Sequence, residues 1–531
     1  MTPVSEDQER ARSESKEGEN MNESAACDIR KFAGAADYTR RMIRPEQIGP
    51  YLPDGRHFIN SAAIEHALAA GAGQSNDRER VRAILAKSSA IETLLPEETA
   101  VLLHVTDPEL RAEMEETALR VKTAVYDNRI VTFAPLYMSN RCVNRCAYCG
   151  FHADNRSQKR RMLAMDEVRA EIDVLAGRLG HKRLIAVYGE HPDTSTDYIA
   201  ETIRTVYARE IKSRTGATLG IRRVNVNAAP LPVEDLRVLK GVGIGTFQVF
   251  QETYHRPTYE RLHPSGTVKG NYDWRTTCMH RALEAGVDDV GIGALFGLYD
   301  WRFEVVALVC HARDLERRFK IGPHTISFPR LEPASGTDVP TQSPYLVNDD
   351  DFQKIVTVTR LSVPYTGMIV TCREHRAVRD RAVLRGGVTQ MDASSNIAIG
   401  GYSEFASETQ QAINRQQFVL ADTRTLDALI RDLAGMGIIT SFCTAGYRCG
   451  RTGGCIMDAL KTGKEGKFCK INAVLTFREW IEDFASPETR AICEPVLQRE
   501  LREVETNLPK FYPSFKAAYD RIVAGERDLF F

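Results

Sequence analysis

The sequence predicts an α/β protein built on a (β/α)8 barrel, and three observations carry that prediction. After Asn128 short apolar runs alternate with amphipathic segments, the texture of repeated βα units and a parallel sheet. Eight such runs occur before residue 396, and the span from Val131 to Ala393, about 260 residues, is the size of one closed barrel. The segments between the runs are long enough to serve as crossovers.

The expected strands are VTFAPLYM from Val131, LIAVYG from Leu184, RVNVNA from Arg223, TFQVFQ from Thr246, DVGIGAL from Asp289, TISFPR from Thr325, MIVTC from Met368 and VTQMDA from Val388. Between them lie helical patterns such as MDEVRAEIDVLAGRLG, STDYIAETIRTVYAREI, PVEDLRVLKGVG, WRTTCMHRALEAG, RFEVVALVCHARDLERRF and DDDFQKIVTVTRLS. Around this barrel, placed at 129–396, three further regions are expected. Residues 1–37 are polar, rich in Ser and Glu, and read as a disordered tail. Residues 38–128 form a helical preface in which Ser61 is a candidate N-cap for AAIEHAL. From 397 to 531 the βα rhythm stops, leaving a C-terminal accessory region with a cysteine-rich loop at 443–469.

Composition excludes several function classes. The net charge is −1, 27% of residues are charged and 43% are apolar, which gives no basis for a nucleic-acid surface. The first residues contain no signal-peptide core, and no later stretch is apolar enough to span a bilayer, so a cytoplasmic location is expected. In a reducing compartment clustered thiols point to metal or redox sites rather than disulfides. Seven of the twelve cysteines fall in two clusters. Cys27, Cys278, Cys310, Cys372 and Cys493 stand alone and read as small buried hydrophobes.

The first cluster, SNRCVNRCAYCGF, follows the first strand and sets Cys142, Cys146 and Cys149 in a C-x3-C-x2-C spacing. Three thiolates on one loop can each hold one iron of a [4Fe-4S] cubane and leave the fourth iron open. That iron can chelate S-adenosylmethionine, and an electron from the reduced cluster then splits its sulfonium into methionine and a 5′-deoxyadenosyl radical. The competing reading is zinc completed by His152, although structural zinc usually recruits two separated ligand pairs. Tyr148, just before the last cysteine, belongs with the cluster reading as a cofactor neighbour.

Barrel chemistry sits at the C-terminal ends of strands. After strand two, VYGEHP places Glu190 at the mouth, suited to the ammonium of S-adenosylmethionine, beside Gly189, which permits close approach of a ligand to the backbone. After strand four, QVFQETYHRPTYERLHP gathers polar groups around His255, a functional candidate or a structural histidine. After strand six, SFPRLEP offers Arg330 for a substrate carboxylate, its bland alternative being an ion pair with Glu332.

Across Val131 to Phe484 the phrases CVNRCAYCGF, VYGEHP, VNVNAAPL, GIGTFQVFQETYHRPTYERLHPSG, NYDWR, DDVGIGALFGLYDWRFEV, GPHTISFPRLEP, IGGYSE and SFCTAGYR resemble the radical S-adenosylmethionine tyrosine lyases, most closely the 2-iminoacetate synthase that matures [FeFe]-hydrogenase. The resemblance implies cleavage of the Cα–Cβ bond of L-tyrosine to p-cresol and dehydroglycine. It implies that Glu190 holds S-adenosylmethionine, that Arg330 takes the substrate carboxylate and that His255 ligates the extra iron of a second cluster. It also implies a reductant such as ferredoxin or flavodoxin, and hydrogenase maturation proteins as partners. The family holds its second cluster with C-x2-C-x22-C and makes carbon monoxide and cyanide there. Here the matching positions are Cys443, Gly446 and Cys469, so the middle ligand is missing, while Cys449 and Cys455 lie in the same loop. Either Cys449 replaces the lost ligand, so that Cys443, Cys449 and Cys469 bind a cluster or other metal, or the second cluster is gone. Two alternatives stay open beside tyrosine cleavage in hydrogenase maturation. One is supply of dehydroglycine to thiamine-type synthesis, or cleavage of another amino acid; the other is a non-catalytic iron–sulfur carrier or scaffold.

Overall fold

A computed structural model of the chain describes residues 35–213, 216–407, 409–462 and 465–531. All eight expected strands are present: β1 (Arg129–Ser139), β2 (Arg183–Tyr188), β3 (Arg223–Asn227), β4 (Phe247–Gln248), β5 (Val290–Gly293), β6 (Thr325–Ser327), β7 (Gly367–Val370) and β8 (Gln390–Asp392). Each pairs in parallel with the next, and β8 pairs back onto β1 through Val131↔Gln390, closing the barrel. A strand that the βα rhythm does not foretell, β9 (Ile439–Ser441), adds to the outside of β1 at its first residues, Arg129↔Ile439 to Val131↔Ser441. All eleven residues of β1 are buried, because the strand is covered along its whole length.

β4 is shorter than the run TFQVFQ suggests. The chain leaves the ladder after Gln248, and Glu252 takes a positive φ of 71°, a strained geometry for a side-chain-bearing residue. The segment from Met165 is helical to Ile172 and then widens into a π turn over Asp173–Arg178. The pattern beginning at Trp274 divides at Thr277 into helices Tyr272–Thr276 and Cys278–Glu284.

The N-terminal helices Ser61–Gln74, Arg78–Ser89, Pro96–His104 and Pro108–Tyr126 lie against the barrel helices Trp301–Phe319 and Asp349–Ser362. The first of them is capped one residue earlier than expected: Asn60 accepts from the Ala63 amide at 3.1 Å, and Ser61 is already helical. Residues 1–34 and Cys27 lie outside the described residues. Residues 35–37, assigned to the tail by composition, belong to a helix, Ala35–Met42. Its Tyr38 is buried with Val143 of the first cysteine loop, Val268 and Trp274. The composition argument fails there because the helix borrows an apolar surface from the barrel rather than building its own.

At the other end of the chain, helices Glu465–Phe484, Pro487–Asn507 and Tyr512–Val523 share one apolar core with the barrel. Polar ties join this region to the barrel: Lys182 forms a buried pair with Glu479, Arg222 Nε lies 3.0 Å from Asp528 of the C-terminal segment, and Trp480 Nε1 donates to the Leu179 carbonyl at 3.3 Å. No described helix is long and apolar enough to cross a membrane.

Candidate active site

The loop after β1 has no regular structure, so its carbonyls need partners from elsewhere. Arg160 supplies them: its guanidinium donates to the carbonyls of Asn140 and Phe151 at 2.8 Å each and of His152 at 2.6 Å. Further amide bonds run from Val143 to Glu190 at 2.8 Å, Ala147 to Leu262 at 3.1 Å and Gly150 to Gln417 at 3.1 Å. So fixed, the loop turns Cys142, Cys146 and Cys149 toward one cavity of about 220 Å³ in the barrel mouth. Gln417 Nε2 lies 3.3 Å from the Cys149 thiol. Burial pushes the Cys146 thiol up to about 12 and raises that of Cys142, so both stay protonated until a metal takes the place of the proton. Three thiols around one cavity suit a cubane, which takes one thiolate per iron. His152 Nε2 is 3.1 Å from the Gly336 carbonyl, committed elsewhere.

Glu190 enters the same cavity from the end of β2. One carboxylate oxygen accepts from Asn144 at 2.5 Å; the other is buried with no hydrogen-bond partner among the described residues. Burial raises its pKa, against the opposing charges of Arg275 and Lys269. Gly189 is required for a reason other than ligand approach: a Cβ there would stand 2.2 Å from the Arg141 carbonyl, so the glycine admits the cysteine loop itself. Tyr148 lines the cavity, and its hydroxyl is 2.8 Å from His263 Nε2. Burial holds His263 neutral, down to about 3; its Nδ1 faces the Tyr259 carbonyl at 2.8 Å and must be the donor, so Nε2 accepts from Tyr148.

Two charged residues of this cavity, Lys269 and Arg275, escaped the sequence reading, and a third, Glu252, stood in it only among the polar groups after strand four. Glu252, Lys269 and Arg275 form a buried triad, with Lys269 Nζ at 2.7 Å and Arg275 at 3.3 Å from one Glu252 oxygen. Burial alone would raise the Glu252 carboxyl, but the two cations outweigh it and hold it at about 2. With Glu190 the cavity end carries two anions and two cations, a balance suited to a zwitterion.

Arg330 does not reach the cavity. Its guanidinium is paired with the fully buried Glu374, lies 2.8 Å from Asp349 and donates to the Val347 carbonyl at 2.8 Å, so its donors are spent within the wall. The next wall cation, Arg373, does line the cavity; it packs 3.3 Å over Phe418 and has no acidic partner among the described residues. Glu332, expected beside Arg330 only in the alternative of a surface ion pair, instead lines the cavity and joins no ion pair among the described residues. His255 also lies outside it: the ring stacks on Tyr299 at 3.7 Å and sits 2.9 Å from Thr258.

The second cysteine group is at the opposite end of the barrel. Cys443, at a positive φ of 48°, lies within electrostatic reach of Arg183, the first residue of β2, while Tyr447 covers Arg223, the first residue of β3, at 3.1 Å. Cys449 and Cys455 are exposed and Cys443 and Cys469 half-buried. His255 therefore stands at the wrong end to serve this group; the histidines on that side include His181, just before β2 and in edge contact with Phe442, and His324, 3.6 Å from Asp289, just before β6. The signal was available in GPHTIS, where the histidine precedes its strand instead of following it.

Residues 136–308 match the radical SAM superfamily, and residues 327–439 match the Biotin and Thiamin Synthesis associated domain. The chain is 43% identical to HydG, a maturase of the [FeFe]-hydrogenase, in a crystal structure that superposes with a TM-score of 0.82 over 89% of this chain and 100% of that one. The chain belongs to the HydG family of radical SAM enzymes. HydG from Carboxydothermus hydrogenoformans is 34% identical, with a TM-score of 0.70 over 87% of this chain and 98% of that one. The 2-iminoacetate synthase of Salmonella typhimurium is 29% identical over 61% of this chain and 80% of its own length. A HydG-family enzyme is a radical SAM lyase and uses a [4Fe-4S] cluster with S-adenosylmethionine. The residues present fit both groups: three thiols face one cavity, and a buried carboxylate oxygen beside them lacks a partner.

Proposed function

We propose that this chain cleaves the Cα–Cβ bond of L-tyrosine to p-cresol and dehydroglycine. The observation that carries the reading is the joint lining of one cavity by Cys142, Cys146 and Cys149 at one side, the Glu190 carboxylate with one unpartnered oxygen beside them, and an Arg373 guanidinium without an acidic partner among the described residues. The cluster and S-adenosylmethionine supply, when bound, a primary carbon radical able to take a hydrogen atom. The protein's share is binding and exclusion of water. The three cysteines would hold the cluster, and Glu190 the ammonium of S-adenosylmethionine. Tyr148 would stay neutral and hydrogen-bonded, walling the site. Arg373, rather than Arg330, would take the substrate carboxylate, because a guanidinium already committed to Glu374 and Asp349 has no donor pair left for a bidentate grip. Apolar side chains such as Phe133, Phe250 and Ile369 line the same cavity and suit a phenol ring.

The second reading concerns where the reaction stops. Gly446 takes the place of a family cysteine and Cys449 is exposed, which supports release of dehydroglycine without conversion to carbon monoxide and cyanide. The electron would come from a ferredoxin or flavodoxin, and hydrogenase maturation proteins or a thiamine-type pathway would receive the product. Anaerobic reconstitution with iron and sulfide, followed by reduction with S-adenosylmethionine and L-tyrosine, tests the proposal. We expect 5′-deoxyadenosine and p-cresol in equal amounts; deoxyadenosine without p-cresol would overturn tyrosine as the substrate.

A further inference from the structure

Resting on the tyrosine reading, we propose that Glu332 is the proton acceptor for the α-ammonium of the substrate, so that the hydrogen atom is afterwards taken from a neutral amine. Glu332 lines the cavity from the segment after β6, and the same cavity is lined by Arg373 from the segment after β7. Among the described residues its carboxyl accepts no hydrogen bond and joins no ion pair, although it is half-buried. The carboxyl is not sealed from solvent, so a ligand entering the cavity can reach it. The groups that face it are Glu374, Arg373 and Arg330. Glu374 and Arg330 are engaged with one another, which leaves Arg373 and Glu332 as the open cation and anion of this wall. A guanidinium and a carboxylate on one wall match the carboxylate and ammonium of an amino acid.

The chemistry requires the proton to leave first. Taking a hydrogen atom from an ammonium would leave a positive charge on an electron-deficient nitrogen, whereas a neutral amine leaves an aminyl radical stabilised by its lone pair. In the step proposed, one N–H bond of the ammonium breaks heterolytically, its electron pair stays on nitrogen, and an O–H bond forms on Glu332; no electron is exchanged with any other group. Burial, reinforced by the Glu374 carboxylate, brings the Glu332 carboxyl up to about 7. The α-ammonium of a free amino acid, beside its own carboxylate, is more basic than the chain-terminal amine that ionises at about 8, so the proton moves roughly two units uphill rather than the roughly five an ordinary carboxylate would demand. Such matching is what general base catalysis favours.

The test measures binding as well as turnover. Equilibrium dialysis of the cluster-loaded enzyme with S-adenosylmethionine and no reductant would compare L-tyrosine with 3-(4-hydroxyphenyl)propanoate, which lacks the amino group. For the wild type we expect tyrosine affinity to fall about tenfold per pH unit below pH 7, because Glu332 must give up its proton to meet the ammonium. In Glu332→Gln that slope should vanish, the propanoate should bind as it does to the wild type, and p-cresol formation should drop 10²- to 10⁴-fold, the usual span for a lost general base. Glu332→Asp should restore part of the rate. An unchanged tyrosine slope and p-cresol rate in Glu332→Gln would overturn the role of Glu332 and leave the substrate reading intact. So would an equal loss of affinity for both ligands, which would mark a structural defect. A wild type that binds neither tyrosine nor the propanoate would instead sink the substrate reading on which the inference stands.

Discussion

Arg330 and Arg373 show how far a side chain's role depends on what its neighbours have already claimed. Both are strand-end arginines in a barrel, and nothing in their local sequence distinguishes a structural guanidinium from a receptive one. The difference is Glu374, a fully buried carboxylate that needs Arg330. Arg330→Ala should therefore destabilise the fold by about 3–5 kcal/mol, because it strands a buried charge; chemical denaturation would report it. Arg373→Ala should leave stability nearly unchanged and raise the KM for tyrosine, a split that steady-state kinetics resolves. Glu190→Gln should weaken S-adenosylmethionine binding about 10- to 100-fold, the value of a charge-assisted hydrogen bond, while the iron content stays constant. The cysteines and Glu190 were legible because they belong to contiguous motifs directly after strands. Lys269, Arg275, Arg373 and Glu332 were not, because their membership of the cavity depends on side-chain direction, which spacing does not encode.

At the scale of elements the sequence was more informative. Eight apolar runs with period-two or continuous patterning became eight strands, since a parallel strand buried on both faces has little freedom in composition. The early end of β4 was hidden, because the residues that leave the ladder, Val249 to Glu252, look like strand residues and turn away only to present polar groups to the mouth. The cap of the Ser61–Gln74 helix was one residue off for a related reason: Asn60 and Ser61 are both good caps, and only backbone geometry decides between them. Asn60→Ala should cost about 1 kcal/mol in denaturation, and Ser61→Ala less than about 0.5. In the C-terminal loop, a Cβ at Gly446 would meet only the Arg451 carbonyl, at 3.4 Å, so a cysteine fits the helix Ala445–Arg448 without rearrangement. We expect Gly446→Cys to bind more iron per chain than the wild type after anaerobic reconstitution, read by iron and sulfide analysis.

For the whole molecule, the N-terminal segment from Pro45 to Phe58 is held by a buried histidine group rather than by aliphatic packing alone. Phe58 lies within ring contact of His280 and His311, His57 lies against Tyr272, and Arg318 donates to the Tyr51 carbonyl at 2.9 Å. Burial lowers all three histidines, His57 to about 4 despite the opposing Asp273. An unfolded chain takes protons at these positions near pH 6.5, whereas the folded one resists until lower pH. Their contribution is thus complete above 6.5 and is lost as the pH falls toward 4, about 3 kcal/mol for His57. Hydrogen exchange across residues 45–58 should accelerate over that window, ahead of the barrel strands; uniform exchange would show that the segment does not open separately. No periodicity announces such a group, because its members come from residues 57, 280 and 311.

β9 ends level with Val131 of β1, where the Cys443 loop begins, and the Cys142 loop opens after Ser139, so roughly 26 Å of strand, at about 3.3 Å per residue, lies between the starts of the two cysteine loops. β8 and β9 hold the first five residues of β1 and β2 holds the rest, with a register irregularity between Tyr137 and Ser139. Whatever the two ends exchange must move through the protein's interior as a diffusing molecule, since no hinge can carry one set of sulfurs to the other.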